Sequence, residues 1–403
     1  MNKILHYLCW LAVIISFYSL FACSKSDKIL YTSEKPFSLI SAEVAPNGRH
    51  WYALCEAPEQ TGNKKRFVII HGAPGPEFDM ILMKPAFTPQ GFVAYAALSA
   101  GRWYVSVDGI IETPYKEVSA PIYTADGSRY AYMAREDRKS FIVDNGVPGN
   151  EFDYVSWPVF SYSHTLAYVT KTFPYFNVII GDEMSESFDD ADIPVFQNTG
   201  NHVAYPAARN KQWTIVADGL ITEWWDAVGT PVHTIHGIAY PAKKYTKWFW
   251  YMQEKRGPGF DYIYGGTTSH DGTHIAYCAQ ENFERFAVID GIPGDTFDNV
   301  ACVVFSSSGS YAYRAEKSDK VFIVTNTGYS PVFDDVSMPQ FSQRDNSLSY
   351  AAKNAGTWNI YHNHQPVFDD TYTTIGEITY SSENNCFFAI AQSGNKIIQL
   401  SWK

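Results

Sequence analysis

Eight aspartates that each follow an aromatic residue are the most regular carboxylates in this chain. They are Asp79, Asp153, Asp189, Asp226, Asp261, Asp298, Asp334 and Asp369. Clustered carboxylates can transfer protons or bind cations. A residue that recurs at regular intervals serves every copy of a repeat equally, so we interpret these aspartates as structural. We expect each to cap the N–H groups of a turn or to accept a hydrogen bond from a neighbouring repeat.

Three pairs of histidines are close together in the sequence: His233 and His236, His270 and His274, and His362 and His364. Only the last pair has the i, i+2 spacing that places both side chains on one face of a strand. No carboxylate or cysteine completes a recognisable ligand set beside them, and no G-x-S-x-G sequence marks a nucleophile. The sequence therefore predicts no metal, no cofactor and no catalytic residue.

Positive charge is concentrated in one class of predicted loop, which joins the second and third strands of each repeat. These loops hold 19 of the 31 lysines and arginines but only eight acidic residues. We therefore expect one face of the folded protein to be basic and to attract an acidic ligand, such as an anionic glycan or a lipid headgroup. The candidate basic residues are Lys243, Lys244, Lys247, Arg135, Arg138 and Lys139.

One of these loops lies in an unusually aromatic stretch, with Tyr245, Trp248, Phe249, Trp250 and Tyr251 close together. Alternation along a strand places Trp248 and Trp250 on the same face. The pattern favours a position for both tryptophans in the core between sheets. It leaves open an exposed platform for a sugar or a peptide. Trp248 and Trp250 are therefore further candidate ligand-binding residues.

The amino terminus has the features of an export signal. Lys3 supplies a positive charge, and residues 4–21 are almost wholly apolar. Leu20-Phe21-Ala22-Cys23 resembles the bacterial lipobox, which implies cleavage before Cys23 and lipidation of its thiol and new amino terminus. Several acyl chains would anchor the chain stably in a membrane. An uncleaved anchor is the alternative. Position 24 carries a serine rather than the aspartate that retains lipoproteins at an inner membrane. We therefore expect the protein to be sorted to the outer membrane.

The composition is typical of an all-β protein, with 16% aromatic and only 18% charged residues. The net charge of −11 argues against a nucleic-acid partner. Four cysteines follow Cys23, namely Cys55, Cys278, Cys302 and Cys386. They contain no C-x-x-C pair and allow three different pairings, and we favour free buried thiols.

An aromatic residue recurs ten times at intervals of 35 to 41 residues, from Phe37 to Phe368, and a second keeps the same spacing from Tyr52 to Phe388. In one copy we assign four strands to residues 188–193, 194–196, 202–207 and 213–219, separated by turns rich in Gly, Asn and Asp. Four strands per copy predict a β-propeller, a ring of four-stranded sheets called blades. A β-solenoid is the alternative, but it would need shorter rungs.

Two turns resemble a known family. Ser269-His270-Asp271-Gly272 followed by HIAY, and residues 123–127 followed by RYAY, are similar to the F-S-P-D-G-x-x-I-A-Y box of TolB-like propellers. The resemblance spans about 365 residues, although residues 160–163 and 233–236 depart from it. It implies the propeller fold. It implies function only weakly, because these propellers serve as partners, sensors and non-catalytic domains of hydrolases.

The ends of the repeat array indicate how the ring closes. The last copy stops after its third strand, and the segment Phe37-Ser38-Leu39-Ile40 is predicted to supply the missing outer strand. One closing strand favours a single ring of ten blades over two rings of five and seals the sheet edges. We assign residues 1–22 to the signal peptide, 23–36 to a lipidated tether and 37–403 to the propeller, which we expect to be monomeric.

Three functional hypotheses follow. The leading one is a non-enzymatic binding or scaffold lipoprotein of the cell envelope that presents its ring to a protein, peptide or glycan. The second is an envelope assembly partner like the TolB-like proteins, docking to other lipoproteins. The third is a glycan-active enzyme with its site in the central channel, which requires a pair of carboxylates inside the ring that does not repeat from blade to blade.

Overall fold

The computed structural model describes residues 25–58, 64–198, 200–301 and 303–403, so the predicted signal peptide and Cys23 lie outside the described residues. Ten antiparallel sheets of four or five strands follow one another along the chain. The described residues contain no helix that could cross a membrane. Successive sheets pack against each other, and the last packs against the first. The fold is therefore a single ten-bladed β-propeller, as predicted.

The blades are numbered 1 to 10 from the sheet at residues 38–74 to the sheet at residues 374–402. First strands of neighbouring blades contact one another, which places them around the central channel. In blades 1, 2 and 7 the inner strand is continuous: Ser38–Val44, Met80–Phe87 and Tyr262–Thr268. In the others it has two halves: Glu117–Val118 and Ile122–Tyr123, Tyr154–Val155 and Val159–Phe160, Asp190–Ala191 and Val195–Phe196, Ala227–Val228 and Val232–Thr234, Asn299–Val300 and Val304–Phe305, Asp335–Val336 and Gln340–Phe341, and Thr374–Ile375 and Thr379–Ser381.

The remaining strands of each blade lie progressively further from the channel. The second strands are Trp51–Ala57, Val93–Ser99, Tyr130–Glu136, Leu166–Thr172, Val203–Arg209, Gly237–Lys244, Ile275–Glu281, Tyr311–Lys317, Leu348–Asn354 and Cys386–Ser393. The third strands are Lys65–Ile70, Arg102–Val107, Lys139–Asp144, Tyr175–Ile180, Gln212–Ala217, Lys247–Met252, Glu284–Ile289, Lys320–Thr325, Thr357–His362 and Lys396–Trp402. The outer strands are Ala73–Pro74, Ile110–Ile111, Val147–Pro148, Glu183–Met184, Leu220–Ile221, Lys255–Phe260, Ile292–Pro293, Gly328–Tyr329, Gln365–Pro366 and, in blade 10, Ser26–Thr32.

The boundaries within a blade differ from the predicted ones. The sequence predicts separate strands over residues 188–193 and 194–196, but Asp190–Ala191 and Val195–Phe196 are two halves of one inner strand. Both halves pair with Val203–Arg209. Pro194 lies at the break because proline has no N–H group for the ladder. The fourth strand is Leu220–Ile221, which follows the turn after the third strand.

An N-terminal strand closes the ring, as predicted, but the prediction that this strand is Phe37-Ser38-Leu39-Ile40 is wrong. The closing strand is Ser26–Thr32, which pairs antiparallel with Lys396–Trp402 so that Ser26 lies opposite Ser401 and Thr32 opposite Lys396. Ser38–Val44 is instead the inner strand of blade 1 and pairs with Trp51–Ala57. The repeated aromatic residue leads into an inner strand, so FSLI belongs to the blade that follows it. Residues 26–32, assigned to the tether, are therefore part of the propeller.

The two repeated aromatic residues pack against each other at the junctions between blades. Phe188 exchanges two backbone hydrogen bonds with Phe176 of blade 4, and its ring lies 6.3 Å from that of Tyr205 in blade 5. Phe78 and Tyr95, Phe297 and Tyr313, and Phe333 and Tyr350 form the same edge-on contact. In the last copy Tyr372 takes the place assigned to Phe368, since Tyr372 makes the backbone bridge to Trp358.

Two faces of the ring are used below. The link face carries the loops between second and third strands and the links between blades. The turn face carries the loops between first and second strands and those between third and outer strands. Asp108-Gly109, Asp218-Gly219 and Asp290-Gly291 form turns of the second kind. Each has its glycine at positive φ, near 80°.

The cysteines have different states. Cys55 is a free, buried thiol, as predicted. Cys278 is also buried, and its thiol donates to the carbonyl oxygen of Ala301 at 3.5 Å. Cys386 is disulfide-bonded, contrary to the prediction, and Cys302 lies outside the described residues. Sequence spacing alone did not distinguish this cysteine from the others.

Candidate functional site

Seven of the eight repeated aspartates bind a turn of the blade that they lead into, on the link face, and four of the seven also pair with a lysine of the preceding blade. Asp153, between blades 3 and 4, accepts the Lys139 ammonium at 2.8 Å and the backbone N–H of Phe173 at 2.9 Å. These hydrogen bonds lower the pKa of Asp153. A turn N–H of the following blade is bound in the same way by Asp79, Asp189, Asp226, Asp261, Asp298 and Asp334. Asp369 does not share this position: it is exposed and lies 3.7 Å from Lys25.

The same aspartates correct the expectation of a basic face. The links between blades lie beside the lysine-rich loops, and their acidic residues pair with those lysines and arginines. The pairs on the link face include Lys65–Asp79, Arg102–Glu136, Lys139–Asp153, Arg209–Glu186, Lys247–Asp261 and Lys320–Asp334. The sequence count compared charges within one class of loop and omitted the links. Much of the expected positive potential is therefore offset locally.

The candidate basic residues form two separate groups. Arg135, Arg138 and Lys139 are exposed on blade 3, where Arg135 lies 3.4 Å from Glu117. Lys243, Lys244 and Lys247 are half-buried on blade 6. Blades 3 and 6 are not neighbours, so the structure does not bring the two groups together.

Lys247 is the most strongly bound of the candidate lysines. Its ammonium group donates to Asp261 at 2.9 Å and to both oxygens of Glu281, at 2.6 and 2.8 Å. The hydrogen bonds with Glu281 and Asp261 raise the pKa of Lys247. Because Asp261 and Glu281 belong to blade 7, Lys247 joins two blades and has little capacity left for an anionic ligand.

The two candidate tryptophans have different environments. Trp250 is only 6% exposed and stacks on Tyr277 of blade 7, with ring centroids 4.8 Å apart and planes within 7°. The interpretation of Trp250 as core between sheets is therefore correct. Its indole Nε1 is buried without a hydrogen-bond partner. Trp248 is half-buried, and its ring meets Tyr262 edge-on at 5.9 Å, with planes 88° apart.

Trp248 belongs to an aromatic surface on the link face of blades 6 and 7. We define this aromatic surface by Tyr245, Trp248, Tyr262 and Phe283. Tyr262 is 50% exposed, and Tyr245 and Phe283 are 81% and 92% exposed at the tips of the two loops. Lys243 lies 6.0 Å from the centre of the Trp248 ring, where it contributes a cation–π contact. Phe283 and Tyr262 were not selected from the sequence, because exposure at a turn and contact across blades leave no periodic signal.

The inner strands also bring together one ionised group that does not repeat. The Lys84 ammonium of blade 2 lies 2.7 Å from Glu377 of blade 10 and 3.5 Å from Glu43 of blade 1. Burial raises the pKa of Glu43, and Lys84 partly offsets this effect. Two glutamates from the two ends of the chain therefore flank one lysine where the ring closes. No sequence motif indicates this cluster, because its residues are far apart along the chain.

The histidines of the described residues all lie in or beside the loops of the turn face. A cavity there is lined by His233, Ser269, His270 and Asp271 of blades 6 and 7, among others. His233 donates to the carbonyl oxygen of Val195 at 3.1 Å, and burial lowers its pKa. Ser269 donates to Asp271 at 2.6 Å. No group of three or more His, Cys, Asp and Glu among the described residues is arranged to hold a metal ion.

Comparison with known proteins identifies no family: no family model and no curated protein matches the chain. Several solved structures match at low identity. The Dos1 propeller is 9% identical, with 95% of each chain covered and a TM-score of 0.42. A eukaryotic initiation factor is 10% identical over 87% of this chain and 91% of the other, with a TM-score of 0.48. The β-propeller domain of the trilobed protease from Pyrococcus furiosus is 12% identical over 64% and 97%, with a TM-score of 0.35. None of these similarities bears on function.

Proposed function

We propose that this protein is a non-enzymatic binding propeller of the cell envelope that binds a protein, peptide or glycan on its link face. The observation that carries the proposal is the aromatic surface of blades 6 and 7. Exposed aromatic side chains are costly in water and are enriched where proteins bind ligands. The propeller holds them rigidly, because Trp248 and Tyr262 lie on regular strands rather than on loops.

A neutral glycan is the ligand class that this surface suits best. Lys247 at its edge is already paired with Asp261 and Glu281, so an anionic ligand would have to displace these partners to bind Lys247. Aromatic rings offer flat apolar area to the C–H faces of a sugar, and the hydroxyl groups of Tyr245 and Tyr262 can hydrogen-bond at its edge.

The proposal places the protein on the membrane through lipid on Cys23. Its support is the signal-like segment and the lipobox resemblance, which leave Cys23 at the amino terminus of the mature chain. The outer membrane is the proposed location. Replacing Cys23 with serine should abolish acyl labelling and either release the protein or leave an unprocessed precursor. Unchanged labelling would overturn the anchor.

The binding role is tested with the full chain and soluble fragments of envelope polysaccharide. Trp248→Ala and Tyr262→Ala should each weaken binding by at least tenfold, since each removes a ring of the aromatic surface. Tyr175→Ala is the matched control, because Tyr175 is a half-exposed link-face tyrosine on the distant blade 4. Equal affinity in all three variants would contradict the site. Recovery of another lipoprotein by cross-linking, unaffected by Trp248→Ala, would favour a TolB-like assembly partner instead.

A second candidate function rests on the Glu43–Lys84–Glu377 cluster. Two carboxylates near one another in a channel, one with a raised pKa, are the arrangement that glycoside hydrolysis requires. Glu43 would act as the acid and Glu377 as the base or nucleophile. Glycan cleavage by the wild-type chain that is lost in both Glu43→Gln and Glu377→Gln would establish this role. Binding without cleavage would indicate that these three residues only stabilise the structure where the ring closes.

A further inference from the structure

Apolar side chains form a recurring exposed band on the outer rim of the turn face. They stand in the first two positions of the outer strands, directly after the turn that follows the third strand. The band consists of Ile110, Val147, Met184, Leu220 and Ile292, from blades 2, 3, 4, 5 and 7. Their exposure ranges from 57% for Met184 to 75% for Leu220. Isolated exposed apolar residues are common, but an exposed apolar residue at the start of the outer strand in five blades is a patterned surface.

Blade 6 interrupts the band with positive charge. Lys255 and Arg256 occupy the two outer-strand positions there, and both are exposed. The Arg256 guanidinium lies 4.7 Å from the centre of the Trp225 ring, which directs its chain along the blade surface. A rim of apolar side chains with both a cation, Lys255, and an anion, Glu183 of blade 4, among them suits the zwitterionic interfacial region of a phospholipid bilayer, where acyl chains meet phosphates.

The closing strand brings the proposed anchor to the same rim. Ser26 pairs with Ser401 at the turn-face end of blade 10, while Thr32 pairs with Lys396 beside the link-face loop. Ser26–Thr32 is also the outermost strand of its sheet. Cys23 precedes Ser26 by three residues, which span at most about 10 Å when fully extended. A lipid on Cys23 therefore holds the turn-face rim of blade 10 within about 10 Å of its membrane.

We infer that the propeller sits with its turn face on the bilayer, with the five apolar side chains of the rim inserted among the phospholipid headgroups. The inference rests on the lipid anchor of the proposed function. Asp108, Asp218 and Asp290 lie in the turns just before the band, so a zwitterionic surface is favoured over an anionic one. This orientation points the link face and its aromatic surface away from the membrane, toward a ligand.

The experiment uses the full lipidated chain on phosphatidylcholine vesicles. A cysteine replaces Leu220 or Ile292 and is labelled with an environment-sensitive fluorophore. Phe283→Cys, on the link face, is the matched control. Cys55 and Cys278 are fully buried and should not compete for the label. Labels at positions 220 and 292 should shift to the blue and be quenched by lipids spin-labelled near the headgroup, whereas the label at position 283 should remain in water.

Four outcomes decide the inference. Quenching confined to positions 220 and 292, and reduced at least twofold by added anionic lipid, supports it. Equal fluorescence at all three positions, on a chain that is acylated and bound to vesicles, overturns the proposed orientation of the turn face on the bilayer. It leaves the proposed lipid anchor on Cys23 intact. A chain that carries no acyl group and does not bind vesicles overturns both. Labels that stay exposed to water on pure lipid vesicles but become shielded from water in native envelopes would show that the rim contacts a protein partner. This outcome would overturn the insertion of the rim into the bilayer.

Discussion

The ammonium group of Lys320 lies 2.9 Å from the carboxylate of Asp334, fourteen residues further along the chain. The same contact, again between residues fourteen apart in the sequence, recurs in three other pairs: Lys65 and Asp79, Lys139 and Asp153, and Lys247 and Asp261. The second oxygen of Asp334 accepts the backbone N–H of Ala355 at 2.9 Å. One carboxylate therefore joins the third strand of blade 8 to a loop of blade 9.

Replacing Asp334 with alanine should lower the melting temperature by a few degrees, because both the lysine and the loop N–H lose their acceptor. Asp369→Ala is the control, since Asp369 is fully exposed and holds no loop; it should have no effect. The hydrogen bonds hold the pKa of Asp334 below its ordinary value of 3.8. The stabilisation by Asp334 is thus present above pH 3.8 and is lost as the pH falls through the lower folded pKa. Equal melting of the two variants would show that the contact does not join the blades.

Ring closure offers a sharper test through a buried side chain. Gln392 of blade 10 is only 4% exposed; it accepts the backbone N–H of Leu39 at 2.8 Å and donates to Phe37 at 2.7 Å. Gln392→Ala leaves the N–H of Leu39 unpaired and should lower the free energy of unfolding by about 1–3 kcal/mol.

Gln340→Ala is a matched control for the closure, because the amide of Gln340 bonds only within its own strand, to Phe341. We expect its change to be smaller than about 1 kcal/mol. Denaturant unfolding of the two variants measures the difference. A loss for Gln340→Ala as large as that for Gln392→Ala would remove any special role of the junction between blades 1 and 10.

The repeat predicted the fold because its signals are local. The spacing of aromatic residues such as Phe188, Trp225 and Phe260 predicted the number of blades, and segments rich in Gly, Asn and Asp predicted the turns between strands. Strand boundaries were less accurate, since Pro194 divides one strand and resembles a turn between two. The closing strand was missed because Ser26–Thr32 is polar at most positions and acquires its role only from the edge that it covers.

The site could be predicted only in part. The choice between core and platform for Trp248 and Trp250 depends on the neighbouring blade: Tyr277 covers one ring, whereas Tyr262 meets the other only edge-on. The charge of the link face could not be predicted for the same reason, because Lys247 pairs with Glu281 across a boundary between blades that the sequence does not show. Contacts between blades join residues about one repeat apart, and a count made within one loop omits them.

The stacked position of Trp250 predicts a reciprocal effect at Gly266. A methyl group on Gly266 would lie 2.4 Å from the edge of the Trp250 ring, which cannot retreat because it stacks on Tyr277. Gly266→Ala should therefore lower the free energy of unfolding by about 1–3 kcal/mol. Trp250→Leu should also be destabilising, by about 2–4 kcal/mol, because it leaves a cavity.

The double variant tests whether the loss of stability in Gly266→Ala comes from steric overlap between the added methyl group and the Trp250 ring. In Gly266→Ala/Trp250→Leu the methyl group occupies space that the indole has left, so the loss should be smaller than the sum of the two single losses by about 1 kcal/mol or more. Equilibrium denaturation of the four proteins gives this coupling. Additive losses would show that overlap with the Trp250 ring is not the cause of the loss in Gly266→Ala.

The last prediction concerns acid and His362. The Nε1–H of Trp402 donates to the hydroxyl of Ser349 at 2.9 Å, and that hydroxyl lies 2.8 Å from Nδ1 of His362, to which it donates when the imidazole is neutral. Burial lowers the pKa of His362, although Asp345 opposes this effect. The unfolded chain therefore binds a proton at higher pH than the folded chain does. The contribution of neutral His362 to stability is fully present above pH 6.5 and declines as the pH falls through the lower folded pKa.

Between pH 7 and pH 5.5 we expect the free energy of unfolding of the wild-type protein to fall by about 1 kcal/mol more than that of His362→Gln. The glutamine amide oxygen can still accept from Ser349 but does not titrate. His270→Gln, at an exposed histidine on the same face, is the control and should keep the wild-type dependence. Unfolding by denaturant at the two pH values measures the difference, and parallel losses in wild type and His362→Gln would assign the acid sensitivity to other groups.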